Sequence, residues 1–282
     1  VARGRRGQDA AYIFDPLDGP PDPPDPLDPN DPLPDPNAPE PNDLVIITKW
    51  SQTPVLFNEM QPDYYLGWPE ESEEFPPDAI MLADDFVCDS NLPITDIRWW
   101  GSQRGYSGGR GEVPSGFPER FRVIIWSNEP NDLSFPNGRP GQIEHDITIT
   151  SDNYTVSWYG WEMDRRDPNW QEPDAVRLSK FQFDLILDPN NYWYQPDNNG
   201  IYWLGLQALY DTPTDQQWGW ETHEVEPNTA GAVRINLLDN TAVAIDSNGV
   251  PGLPDEMDFA FELIYAEPNL PIDGIDGQDG LP

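Results

Sequence analysis

A single cysteine, Cys88, in a chain of 282 residues excludes an internal disulfide, so stability has to come from packing or bound ions. Cys88 ends the apolar run "MLADDFVC", where it reads as a buried, inert thiol. Cations are scarce too. Fifteen Lys and Arg face 51 Asp and Glu, and the net charge of −36 sets nucleic acid and anionic membranes aside as partners, because both would repel the chain. The only histidines, His145 and His223, lie in unrelated blocks. HExxH spacing, a Gly-x-Ser-x-Gly elbow and a phosphate loop are all lacking, which points away from the common hydrolase and nucleotide chemistries and toward a non-enzymatic protein. No apolar run reaches 18 residues, which excludes a membrane-spanning helix. No long segment carries a helical stripe.

What the chain does have is strand signal. "DLVIITKW", "AIMLADDFVC", "ITDIRWWG", "RFRVIIWS", "HDITITSDNYTVSWYGW", "KFQFDLIL", "GIYWLGLQALY", "GAVRINL", "TAVAID" and "DFAFELIYA" are rich in β-branched and aromatic residues. Several alternate with period two, and Pro, Gly, Asn and Asp separate them. The pattern predicts an all-β protein: an antiparallel β-sandwich, jelly-roll-like, of about ten strands.

Composition divides the chain into an extended N-terminal segment (1–43), a β-sandwich domain (44–266) and an acidic Gly/Asp tail (267–282). The first holds a basic start, "VARGRRGQD", then the apolar patch Ala10, Ala11, Tyr12, Ile13 and Phe14, then a Pro/Asp-rich arm. Residues 14–43 contain 12 of the 34 prolines and nine acidic residues, with no basic one. Such a stretch lacks backbone donors and core-forming side chains, so it needs a partner to fix its course. In polyproline II geometry the 29 residues from 15 to 43 would span roughly 90 Å, about twice the ~45 Å diameter of a 220-residue globule. The arm is therefore long enough to cross a neighbouring copy and deliver residues 10–14 as an added strand. Starting at Val1 rather than Met, the chain reads as a mature product whose export signal has been removed, which predicts an extracellular or cell-surface location.

Three constellations are candidates for chemistry. The 12 tryptophans suggest an aromatic platform for sugar rings, with Trp158, Tyr159, Trp161, Trp170, Tyr192, Trp193 and Tyr194 at Pro/Asn-rich edges, whereas Trp99, Trp126 and Trp203 alternate into a core. "DSNGVPGLPDEMD" places the hard oxygen ligands Asp246, Asn248, Asp255 and Asp258 around a turn, a calcium candidate without the EF-hand pattern. Glu70, Glu71, Glu73 and Glu74 offer carboxylates in number, but adjacent acids are expected by chance among 51, and a glycosidase pair is defined by a separation in space. Asn153-Tyr154-Thr155 is the one N-glycosylation sequon.

The blocks "KWSQTP" (49–54), "YYLGWPEES" (64–72), "LADDFVCDSNLPITDIRWWGS" (82–102), "FRVIIWSNEP" (121–130), "IYWLGLQA" (201–208) and "WGWETHEVEPNTAGAV" (218–233) span nearly the whole body. Together they resemble an uncharacterised secreted β domain of planctomycete-type bacterial extracellular proteins. The resemblance implies an extracellular bacterial β domain and carries no chemistry with it. Arm and body then predict a structural protein of the bacterial surface, a fibre subunit whose partners are copies of itself. The alternative is a secreted carbohydrate-binding or adhesion module with extracellular polysaccharide as partner.

Overall fold

The computed structural model describes residues 44–268 except 73, 76–77, 88–89, 113, 115, 130–134, 136–137, 173–174, 176, 197–199, 213, 215, 226–228, 239–240 and 247–255, with the backbone alone at 44–45, 74–75, 78–79 and 267–268. The arm, the apolar patch Ala10–Phe14, Cys88 and the tail from 269 onward lie outside the described residues. By its contacts the chain divides into Ile47–Tyr265 and a second unit, Val1–Ile46 with Ala266–Pro282. The first unit carries the fold.

Among the described residues seventeen strands follow one another: β1 (Leu44–Gln52), β2 (Val55–Asn58), β3 (Gln61–Leu66), β4 (Pro69–Glu71), β5 (Glu74–Phe75), β6 (Asp78–Val87), β7 (Asp96–Gln103), β8 (Arg120–Glu129), β9 (Arg139–Thr150), β10 (Tyr154–Met163), β11 (Leu178–Ile186), β12 (Ile201–Leu209), β13 (Trp218–Glu224), β14 (Val233–Asn236), β15 (Thr241–Ala244), β16 (Met257–Phe259) and β17 (Phe261–Pro268). They form two packed sheets, so the all-β sandwich expected from the sequence is the fold observed. One sheet runs β1-β17-β7-β11-β10-β3-β2, with β13, β4 and β16 joined beside β7; the other runs β15-β14-β6-β12-β8-β9, with β5 on β6. The chain crosses repeatedly between them, β6 to β7 to β8 and β11 to β12 to β13, in jelly-roll fashion.

Each of the ten strand-like segments coincides with at least one strand over its described residues, two of them with a pair of strands each, β9 with β10 and β16 with β17. The additional strands are short or lack a polar face. β13, "WGWETHE", is buried at its first five positions, which erases the period-two signal. β3 carries Pro62 and pairs in parallel with β10 through Trp161, Glu162 and Met163, a departure from an all-antiparallel sandwich.

The inner faces meet in an aromatic core. Trp99 of β7 stacks on Phe183 of β11 at 5.3 Å and 7°, and lies edge-on to Phe121 of the opposite sheet, also at 5.3 Å. Phe121 in turn meets Trp218 at 4.8 Å, so one ring of β8 ties β7, β11 and β13 together. A smaller cluster covers the other face of the seven-stranded sheet, where Trp126 and Trp203 pack with Met81, Ala83, Ile124, Val233 and Ile235. Burial on both faces explains why β12 reads as one continuous apolar run.

Candidate functional site

The outward face of the ten-stranded sheet carries charge where an ordinary sheet would carry solvent-facing polar residues. Register places Lys180 of β11 opposite Ser102 of β7, and Ser102 opposite Gly219 of β13, so Lys180, Ser102 and Glu221 share this face with Glu162 of β10. All four are at most 1% exposed. Lys180 Nζ donates to Glu221 Oε1 at 2.5 Å, and Ser102 Oγ donates to Glu162 Oε2 at 2.8 Å. Burial, then the Glu221 charge, raises the Glu162 carboxyl well above the usual carboxylate range. Burial also raises Glu221, which Lys180 holds back. With one cation for two carboxyls in a dry site, the shift favours the neutral form of Glu162 beside Glu221. Tyr65 lies against the Lys180 ammonium at 5.2 Å, and Tyr159 packs on Tyr65 and Trp100. Gly67 adopts φ +138°, and a Cβ there would stand 2.2 Å from Glu221 Oε1, so only glycine lets the chain cross this point.

Beside this network a cleft of about 420 Å³ opens between β4, β13, Asp164, Arg166 and Leu178. Glu70 is its hub. Its Oε1 accepts from Arg234 and its Oε2 from Trp68 Nε1 at 3.2 Å, with Arg166 at 3.8 Å. Arg166 forks onto Asp164, Nε to Oδ1 at 3.0 Å and Nη2 to Oδ2 at 2.9 Å, and its guanidinium lies 4.9 Å over the Trp68 ring. Arg104 Nη1 donates to Glu71 Oε1 at 2.9 Å.

A second set of buried acids lies at β6. Asp84 faces the core and accepts the Phe259 amide at 2.7 Å, while Asp85 points the other way and accepts the Ala230 amide at 3.2 Å. Burial and the neighbouring Asp258 and Asp85 raise Asp84 well above its usual range. Burial pushes Asp85 up to about 7. A carboxyl whose folded pKa exceeds its unfolded value of 3.8 stabilises the fold at low pH and loses that contribution as pH rises through 7. The protein should therefore be less stable at pH 8 than at pH 5, by about 2–3 kcal/mol from this group. Denaturant titrations at the two pH values check this, and Asp85→Asn should flatten the difference; an unchanged difference in that variant would assign the effect elsewhere.

The tryptophan candidates do not form one platform. Trp158 and Trp161 touch at 5.7 Å, with the Arg110 guanidinium 5.2 Å over Trp158. Tyr159 belongs to the Tyr65 cluster, and Trp170 packs edge-on to Phe57 at 5.8 Å. Trp193 is a correction. It is a core residue, 5% exposed, between Phe86 and Tyr202, because its backbone bridges Ile94 and draws the ring inward. Tyr192 packs half-buried against the core, and Tyr194 is exposed. Trp99, Trp126 and Trp203 are buried as expected, though only Trp99 lies between the sheets.

Of the calcium candidates, Asn248 and Asp255 lie outside the described residues. Asp246 is exposed, its backbone bridging Glu256, whereas Asp258 is fully buried and accepts from Gln52 Nε2 at 3.1 Å. Among the described residues no group of three or more His, Cys, Asp or Glu is arranged to hold a metal ion. Glu73 and the side chain of Glu74 lie outside the described residues, while Glu70 and Glu71 are the arginine-paired carboxylates of the cleft. Arg104, Arg166 and Arg234 escaped the sequence reading because nothing local joins them; their scarcity in so acidic a chain was the one available signal. Asn153 of the sequon caps the β9–β10 turn, its Oδ1 accepting from the Thr150 amide at 2.9 Å.

A family model described as a domain of unknown function, DUF7901, matches residues 48–264. The chain belongs to the DUF7901 family. No curated protein matches it. The match begins within β1 and ends within β17, so the DUF7901 domain takes in the aromatic core, the Lys180 network and the arginine cleft alike.

Beyond the cleft, the DUF7901 domain presents a long sheet edge. β9 has 12 residues and pairs only with β8 among the described residues. From His145 to Thr150 its register against β8 is regular, with Ile147 and Ile149 turned to the core and Asp146 outward on Arg122. Burial lowers the His145 pKa, so its ring is neutral at physiological pH.

Proposed function

We propose that this protein is a non-enzymatic subunit of an extracellular bacterial surface fibre, in which Ala10–Phe14 of one copy adds a strand to the β9 edge of the next. One observation carries the reading: a 12-residue strand stands at a sheet edge, and its outward amides and carbonyls have no described strand beside them. Proteins usually shorten, bulge or cover such an edge, because it templates pairing with another chain. The bulges of the β8–β9 ladder fall between Ile125 and Asn128, which leaves the stretch from His145 to Thr150 straight and long enough for a pentapeptide. Charge is complementary as well, since Arg3, Arg5 and Arg6 precede the apolar patch and the exposed Glu144 lies on the acceptor strand. A head-to-tail contact of this kind does not close on itself, so it generates a filament.

Each large apolar side chain that the donated strand turns to the core, Ile13 first, would contribute about 1.5–3 kcal/mol, and each strand hydrogen bond about 1 kcal/mol net. Removal of residues 1–14 should leave a folded monomer with the β spectrum of the full chain. Ile13→Asp alone should block polymerisation, because it would bury an unpaired charge. Sedimentation and electron microscopy of the full chain and both variants provide the check. Fibres formed equally well by the truncated chain would rule out the donor role of this segment.

A further inference from the structure

We propose that the arginine-lined cleft at β4 and β13 is a binding site for a neutral, hydroxyl-rich glycan. The inference is independent of the assembly reading. Six charged side chains set its chemistry: Glu70, Glu71 and Asp164 against Arg104, Arg166 and Arg234. Three negative and three positive groups sum to zero, on a chain whose net charge is −36. Three of only 15 cationic residues are thus gathered on one cleft.

The pairing decides the ligand class. Each arginine already engages a carboxylate: Arg234 with Glu70, Arg166 with Asp164, and Arg104 with Glu71. An ionic ligand would have to displace one of these partners, and an anionic one would also approach against the field of the whole protein. A hydroxyl group, by contrast, donates and accepts at once. It can take a guanidinium N–H and give its own proton to the adjacent carboxylate while both ion pairs stay intact. Adjacent hydroxyls on a sugar ring present this donor–acceptor alternation repeatedly. The volume of about 420 Å³ falls in the range of small-molecule sites, about 300–1,000 Å³. Only Pro69, Leu178 and Gly219 give the lining an apolar component, which disfavours a lipid or aromatic ligand.

Preorganisation supports the same conclusion. Glu70 is held from three directions, by Arg234, Arg166 and Trp68 Nε1, and Arg166 is held flat over the Trp68 ring. Groups fixed in this way do not have to be ordered when a ligand arrives, which conserves affinity. The site is distinct from the Trp158–Trp161 pair, where aromatic stacking would be the means of recognition.

The test uses the full chain on an array of neutral cello-, manno- and xylo-oligosaccharides, with polygalacturonate as the anionic control and glycerol as a competitor. Binding of at least one neutral oligosaccharide is expected, weakened at least tenfold by Arg104→Ala and by Arg166→Ala and unchanged by Trp161→Ala. The Arg104 side chain is 65% exposed, so its removal leaves the fold intact and the readout interpretable. Loss of binding in Trp161→Ala but not in the arginine variants would overturn the assignment, as would binding of polygalacturonate alone, displacement by glycerol, or no binding at all.

Discussion

Lys180→Met should be among the most destabilising single changes to this protein, costing about 3–5 kcal/mol, because it leaves Glu221 in a dry site without its cation. Lys180, Glu162 and Glu221 are at most 1% exposed, so water cannot take over the role of the lost ammonium. For a domain of this size each kcal/mol moves Tm by about 2–4 °C, so a fall of roughly 6–20 °C is expected. The double variant Lys180→Met/Glu221→Gln should recover much of the loss, since the orphaned charge is then gone. Glu162→Gln should cost at most about 1 kcal/mol, because a neutral amide replaces a carboxyl that burial and the Glu221 charge already hold toward its neutral form. Thermal melts of these proteins and of Glu221→Gln alone give the comparison. Additive losses in the double variant would show that Lys180 and Glu221 do not act as a pair, and a large loss in Glu162→Gln would show that Glu162 is ionised.

Trp99→Ala should cost about 3–5 kcal/mol, the usual range for removing a fully buried aromatic ring. The ring is 0% exposed and touches Phe121, Tyr154 and Phe183 from both sheets, so the cavity would sit where the sandwich is joined and could not collapse without shifting a strand. Trp161→Ala, at a half-buried position outside the core cluster, should cost roughly 1 kcal/mol. Denaturant midpoints of the two variants separate core tryptophans from surface ones. Equal losses would contradict the division between the fully buried Trp99 and the half-buried Trp161.

That division shows how far the residues alone can be read. Strands such as "KFQFDLIL" and "RFRVIIWS" announce themselves because one face is more polar than the other, and each lies in a strand of the sandwich. β13 does not announce itself, since Trp218 and Trp220 go to the core while Gly219 and Glu221 are buried on the opposite face. Tryptophan excess suggested a sugar platform, yet Trp68, Trp99, Trp100, Trp126, Trp193, Trp203, Trp218 and Trp220 are all buried, so most of the excess builds the core. Trp193 illustrates the limit: its Pro/Asn-rich surroundings read as a surface edge, and only the bridge to Ile94, from a distant part of the chain, turns it inward. Charged residues are the hardest to read. Glu221 looks like any of 51 acidic residues until Lys180, 41 positions away, is brought onto the same face. The charged groups of the cleft come from β4, β14, the residue that follows β7 and the 164–166 turn, and no local spacing joins these four places.

The strand-donation claim is tested most directly by cross-linking between copies. In a Cys88→Ser background, one preparation carries Tyr12→Cys and a second carries Thr148→Cys on β9. The two are mixed under assembling conditions and oxidised. Pairing of the N-terminal segment with β9 predicts a disulfide-linked heterodimer joining position 12 to position 148, formed only in the mixture and abolished by Ile13→Asp in the donor. Fibres that assemble without this cross-link, or a cross-link that survives Ile13→Asp, would contradict the account.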